Sequence, residues 1–321
     1  MNQQASIAIA LAAGIVGGMI AIAGLQPTAF SLPLLVLAPA PVYFATLGWG
    51  TRAGIIAAVT ATMLGLVWQA PIALAFGGAL LFAPAAYAGH LANLAQANPA
   101  GPGMIWYPLS GILLRLMLML MAGFIVTGLA VGYDQAKISE AFAVMFRDLM
   151  ADGGATAPSD EVLRSYAETY TSMLPAIFAG MWLLGHVLVM HLSAIATARM
   201  GRLARPPEDI AANITLPREA LALPLFGIMG MFVLGSPGIE IAALATGLGI
   251  AGFAMVGLGE LHTMTRGRPG RGAILMLSYL LLLVFGFPVF VLATMGAIRA
   301  LRGSPSNPTM PSPPRGGPSN S

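Results

Sequence analysis

The chain has no cysteine among its 321 residues, so disulfides, thiolate chemistry and cysteine-based metal sites are excluded together. Charge is scarce as well. Asp, Glu, Lys and Arg make up 8% of the residues, against about 25% in an ordinary soluble domain. There is one lysine, Lys137, and it follows Ala136. A phosphate-cradling P-loop needs Gly-Lys-Ser/Thr, so the chain does not carry an ATPase motif of that kind. No HExxH, Ser-His-Asp order or paired carboxylate within an apolar run supports catalysis. The expectation is a non-enzyme with no cofactor, no metal and no nucleic-acid partner.

What fills the space is hydrophobic, at 57% of residues. Apolar runs fall near 5–25, 30–48, 53–69, 71–91, 107–131, 174–197, 220–235, 239–258 and 273–298. Many approach the roughly 20 residues that span a bilayer as helix, and open strands cannot satisfy their edges in lipid. The fold class is therefore all-α, a polytopic transmembrane bundle of about eight to nine segments over residues 1–302. The N-terminal run lacks a basic leader region, and residues 5–25 read as the first span. Ala21-Ile22-Ala23 has the look of a cleavage site, a weak signal in so alanine-rich a stretch. Residues 303–321, GSPSNPTMPSPPRGGPSNS, read as a disordered Pro/Gly/Ser-rich tail.

Arginines orient the spans. Arg52, the 199–218 loop with Arg199, Arg202, Arg205 and Arg218, and the 259–272 loop with Arg266, Arg268 and Arg271 fall on one side by alternate counting. The positive-inside rule makes that side cytoplasmic and puts the N-terminus there, in a bacterial inner membrane. Nine crossings would leave Arg299, Arg302 and Arg315 outside. Either the 220–235 run is not a full span, or the last run does not cross once. Residues 132–172 fall outside and are predominantly acidic. Within them Ile138, Phe142, Met145, Phe146 and Leu149 recur at helical spacing, which predicts an amphipathic helix on the outer surface or capping the bundle. A second amphipathic stretch starts near Pro158-Ser159 and carries Val162, Tyr166 and Tyr170.

Several motifs have bland readings that win. Gly247-x-Gly249-x-x-Gly252 has the letters of a dinucleotide fingerprint but sits inside an apolar helix. Ala243, Gly247 and Ala251 instead make a small-residue stripe for close helix contact, as do Gly14 with Gly18 and Ala57 with Ala61 and Gly65. Pro39, Pro41, Pro84 and Pro288 mark kinks whose freed carbonyls need donors from neighbours. Arg115 lies about 13 Å along its helix from Trp106 and is expected to snorkel back to the interface. His90 and His262 fall at span ends.

His186 and His191 are the polar residues of the 174–197 run. Five residues turn a helix by about 140°, so the two do not share a face and do not form a two-histidine metal site. His186 is the candidate for a substrate-facing position, together with Glu240 at the outer mouth of the eighth run.

The stretches 32–59, WYPLSGILL at 106–114, RPPEDIAANITLP at 205–217 and GLGELHTMTRGRPGRGAILMLSYLLLLVFGFPVF at 257–290 together resemble the YybS-like family of membrane proteins. That family is similar to the substrate-capture S components of energy-coupling-factor (ECF) transporters. The resemblance implies a helical bundle that binds a small molecule near its outer face and borrows ATP hydrolysis from separate coupling and ATPase subunits. It also implies that Ala8 and Ala12 of the first span meet the coupling subunit. The alternative from the residues is a non-transporting scaffold or assembly factor acting through the 199–218 loop and the outer amphipathic helix.

Overall fold

The computed structural model describes residues 3–99, 101–152 and 158–303. The expected tail, from residue 304 on, lies outside the described residues. The protein is nearly all helix, with one small hairpin of β1 (Ala95–Ala97) and β2 (Met104–Trp106). Among the described residues, six helical stretches are long and apolar enough to cross a membrane: Gln3–Gly24, Ser31–Trp49, Ala75–Ala92, Leu109–Val131, Asp160–Arg199 and Gly238–Met264. This is fewer than the eight to nine segments expected, because several apolar runs become shorter or broken helices.

In the first half, α1 (Gln3–Gly24) packs on α4 (Thr51–Ile72) through the two small stripes seen in the sequence. A Cβ on Gly14 would lie 2.6 Å from the Ala57 carbonyl oxygen, and one on Gly18 would lie 3.0 Å from that of Ala61. Only glycine lets these backbones come so close, and closeness is what holds helices together where lipid removes the hydrophobic drive. The prolines act where expected. α2 (Ser31–Leu37) and α3 (Ala40–Trp49) are separated at Ala38-Pro39. Past α4 the chain folds back through a π-helical stretch, Ala73–Phe82, into α5 (Ala83–Ala92), with Gly78 against Thr62 and His90 beside Thr51.

After α6 (Leu109–Val131), the acidic segment forms α7 (Gln135–Asp152). It packs along the start of α8 (Asp160–Arg199) rather than lying over the bundle. The second amphipathic stretch and the 174–197 run are thus one helix of 40 residues, which passes through Pro175 unbroken. Its length is about 60 Å, twice the apolar layer of a bilayer.

The second half is built around α11 (Gly238–Met264), most of which is buried. α8, α6, α9 (Ile210–Asn213), α10 (Ala222–Val233) and α13 (Pro288–Arg302) surround it. The stripe of Ala243, Gly247 and Ala251 meets α8: Gly247 lies against the Ala176 backbone, and Gly180 against Ala251. Gly257 and Gly296 bring α11 and α13 into backbone contact in the same way. α10 has only 12 residues, too few to cross alone. The last apolar run is interrupted at Gly286, whose φ of 67° favours glycine. That break divides the run into α12 (Arg271–Phe285) and α13, each of 15 residues.

This break bears on the placement of the last arginines. Arg299 donates to Glu260 at 2.6 Å and to the Ala212 carbonyl at 2.5 Å, so α13 ends beside the 199–218 loop. The start of α12 and the end of α13 therefore lie at the same end of the bundle. Arg266 pairs with Asp209, Arg205 binds Glu208 and the Tyr107 carbonyl, and Arg202 stacks over Trp49 at 4.9 Å. All of these gather at one basic end of the bundle, opposite the acidic arm of α7 and α8.

Candidate functional site

His186 sits at the meeting point of three elements and is 2% exposed. Its Nδ1 is 3.0 Å from the Tyr43 hydroxyl of α3, and its Nε2 is 3.1 Å from the Leu80 carbonyl of the π-helical stretch. A carbonyl only accepts, so Nε2 carries the proton and Nδ1 accepts from Tyr43. Leu80 belongs to the π-helical stretch, Pro84 just beyond its end has no N–H to give, and His186 reaches this junction from another helix to serve the Leu80 carbonyl. Both ring nitrogens are thereby committed, and His186 has none free for a ligand in this arrangement. The space beside it, between Val36, Leu81 and Trp182, does not admit a water molecule.

The best-formed cavity lies elsewhere, between α1, α4 and the π-helical stretch, lined by Gly18, Ala21, Ala61, Phe76 and Phe82. Its volume is about 20 Å³, room for a single water, and its walls are apolar.

Glu240 occupies the first turn of α11 at the acidic end. Its Oε1 accepts from the Ser236 hydroxyl at 2.8 Å, while its Oε2 is buried with no hydrogen-bond partner among the described residues. Tyr133, just past α6, stands near it. Burial first, and the Glu240 carboxylate second, push the Tyr133 phenol above its ordinary value. Glu240 and His186 are not brought together: one is at the mouth of α11, the other in the knot of α3, α8 and the π-helical stretch.

Ala8 and Ala12 are exposed on α1, turned away from the face that packs on α4. His191 is exposed on α8, as its 140° offset from the buried His186 requires. His90 bonds Thr51 at 2.7 Å and His262 bonds Tyr279 at 2.9 Å, both at the basic end. Arg115 is exposed, and its guanidinium bends back over the Tyr107 ring at 5.1 Å, the snorkelling posture. At the basic end the Arg266 guanidinium holds the Asp209 carboxyl down to about 2. Among the described residues, no three of His, Asp and Glu converge as a metal site.

Comparison with family models, with curated proteins and with solved structures finds no match. The chain's own geometry carries the reading that follows.

Two features of this geometry were missed from the sequence. The Tyr43–His186–Leu80 knot had a partial signal, since Pro84 announces a disturbed helix whose carbonyls need donors and His186 is a polar residue in an apolar run. The Arg299–Glu260 and Arg266–Asp209 clamps join residues 39 and 57 apart and had none.

Proposed function

We propose that this protein is an integral membrane protein that works through its surfaces, as a non-transporting scaffold or assembly factor. The observation that carries the reading is the close packing among the described residues: the best-formed cavity there holds about 20 Å³, far below the ~300 Å³ at which small-molecule sites begin. His186, the residue placed to serve a cavity, instead ties three elements together. The protein sits in the inner membrane of a bacterium with its basic end, and so its N-terminus, in the cytoplasm. The acidic arm of α7 and α8 stands on the outer side.

A second reading is favoured by Glu240, whose Oε2 lacks a partner at the outer mouth. In it the chain is a small-solute-binding subunit of S-component-like fold, in line with the YybS-like resemblance. The exposed Ala8 and Ala12 would then meet a coupling subunit that recruits ATPases. Purification in mild detergent, with mass spectrometry of co-purifying proteins and small molecules, separates the two. The scaffold reading expects envelope proteins and no stoichiometric solute. A defined small molecule that is retained by the native chain and lost from Glu240→Gln would sink it in favour of transport.

A further inference from the structure

α6 carries an arginine on its outer surface. Arg115 stands about 9 Å past the start of the helix at Leu109. It is exposed, on a face that continues through the exposed Leu118, Ala122 and Val126. These positions recur every three or four residues, so they form one apolar stripe running from Arg115 toward the acidic end. In a membrane, lipid covers that stripe. The guanidinium at its head has no ion pair and no hydrogen bond among the described residues, and its one partner is the Tyr107 ring at 5.1 Å. The Tyr107 hydroxyl likewise has no hydrogen bond among them.

The fold holds this pair in place. The Tyr107 ring lies on the first turn of α6 at Gly111, where a Cβ would stand 2.7 Å from it. The Tyr107 backbone is pinned on both sides: its N–H donates to the Leu94 carbonyl at 2.9 Å, and its carbonyl accepts from Arg205 at 2.8 Å. Arg205 is itself neutralised by both oxygens of Glu208, which leaves Arg115 as the uncompensated charge here. Beside Tyr107 the hairpin exposes Met104 and Ile105 next to Trp106, apolar and aromatic side chains of the kind that sit at headgroup level.

We propose that Arg115 and Tyr107 bind the phosphate of a single phospholipid, whose acyl chain lies along Leu118, Ala122 and Val126. A lipid-facing cation needs an anion, and the protein supplies none. The guanidinium offers a planar fork of donors that matches two phosphate oxygens, the tyrosine hydroxyl offers one more, and the ring shields one face of the guanidinium from hydrocarbon. A free phosphate would satisfy the same donors but would have no use for the stripe below them. The stripe selects the lipid. Arg52, Arg268 and Arg271 are equally exposed, but they stand at helix ends or in the 259–272 loop, where water solvates them. This inference is independent of whether the protein is a scaffold or a solute carrier.

The test uses the whole chain in mild detergent, mixed with dioleoyl phosphatidylglycerol, with bound lipid counted by native mass spectrometry. One lipid per chain should be retained. Arg115→Gln removes no hydrogen bond of the fold, so it should keep the native unfolding midpoint while weakening retention at least about fivefold. Tyr107→Phe keeps the ring and loses the hydroxyl, with retention falling about twofold to threefold. Arg52→Gln, exposed at the start of α4, is the charge control and should retain the lipid as the native chain does. Equal retention by the native chain and Arg115→Gln overturns the site and leaves water as the partner of Arg115. An equal loss in Arg52→Gln overturns it as diffuse attraction. Two competitors separate the possible sources: glycerol phosphate, a headgroup without chains, and dioleoylglycerol, chains without a phosphate. Neither should displace the lipid at equal concentration. Displacement by glycerol phosphate would make this a free-anion site, displacement by dioleoylglycerol a merely apolar one, and either result overturns the proposal.

Discussion

α11 and α12 are consecutive helices and lie in opposite environments. α11 is rich in glycine and alanine and is buried along most of its length, while the Leu-rich α12 has no buried residue. A soluble protein would bury the leucines. Here lipid already solvates them, so side-chain hydrophobicity gains nothing by burial, and what selects the interior helix is how closely its backbone can be approached. The centre is small and the periphery is large.

The sharpest way to break that contrast is to enlarge the centre. A side chain at Gly257 would collide with the Leu292 backbone of α13. Gly257→Val should therefore cost about 3 kcal/mol or more, read as a lowered midpoint in detergent-induced unfolding. Next comes the polar knot. His186→Leu keeps the volume but leaves the Leu80 carbonyl and the Tyr43 hydroxyl unpaired, at a loss of about 2–4 kcal/mol. Tyr43→Phe should lose only about 1 kcal/mol, because His186 still serves Leu80. Removing the clamp at the end of α13 by Arg299→Ala strands the Ala212 carbonyl and the partly buried Glu260. A loss of about 1–2 kcal/mol is expected, with faster proteolysis of the 199–218 loop.

The Asp209–Arg266 pair gives a pH test of smaller effect. The Arg266 guanidinium holds the Asp209 carboxyl of the folded chain down to about 2, below the ordinary carboxylate range. Its contribution is thus complete above about pH 4 and is lost as pH falls toward 2. Loop proteolysis should be unchanged between pH 7 and 4.5, and Asp209→Asn should mimic the acid state at neutral pH. Smallest of all is the periphery: Leu280→Ala, exposed on α12, should shift stability by no more than about 0.5 kcal/mol.

Much of this was legible in the residues because short-range chemistry governs it. The facing stripes of Gly14 and Gly18 with Ala57 and Ala61 needed only the small-residue rule and the four-residue spacing. The separate faces of His186 and His191 followed from helical geometry, but which one points inward depends on where α3 and the π-helical stretch lie. The second amphipathic stretch and the 174–197 run read as separate segments, and the structure joins them into one helix through Pro175. One missing N–H does not stop a helix packed on its neighbours. The break at Gly286 was equally hidden, since FGFP sits in an unbroken apolar run and only the return of Arg299 to Glu260 shows that the chain turns there. Glu240 was placed correctly at a helix start, but its unpartnered oxygen depends on Ser236 and on the burial around it.

The return of α13 has a consequence for anyone attaching a reporter to this chain. A tag joined at Gly303 emerges on the same face as one inserted between Gly201 and Asp209, although an apolar run of full spanning length intervenes after α11. A hydropathy plot alone would assign the two tags to opposite compartments. Paired fusions at these sites, compared with one placed between α7 and α8, would report two compartments rather than three alternations, with the first two tags always agreeing.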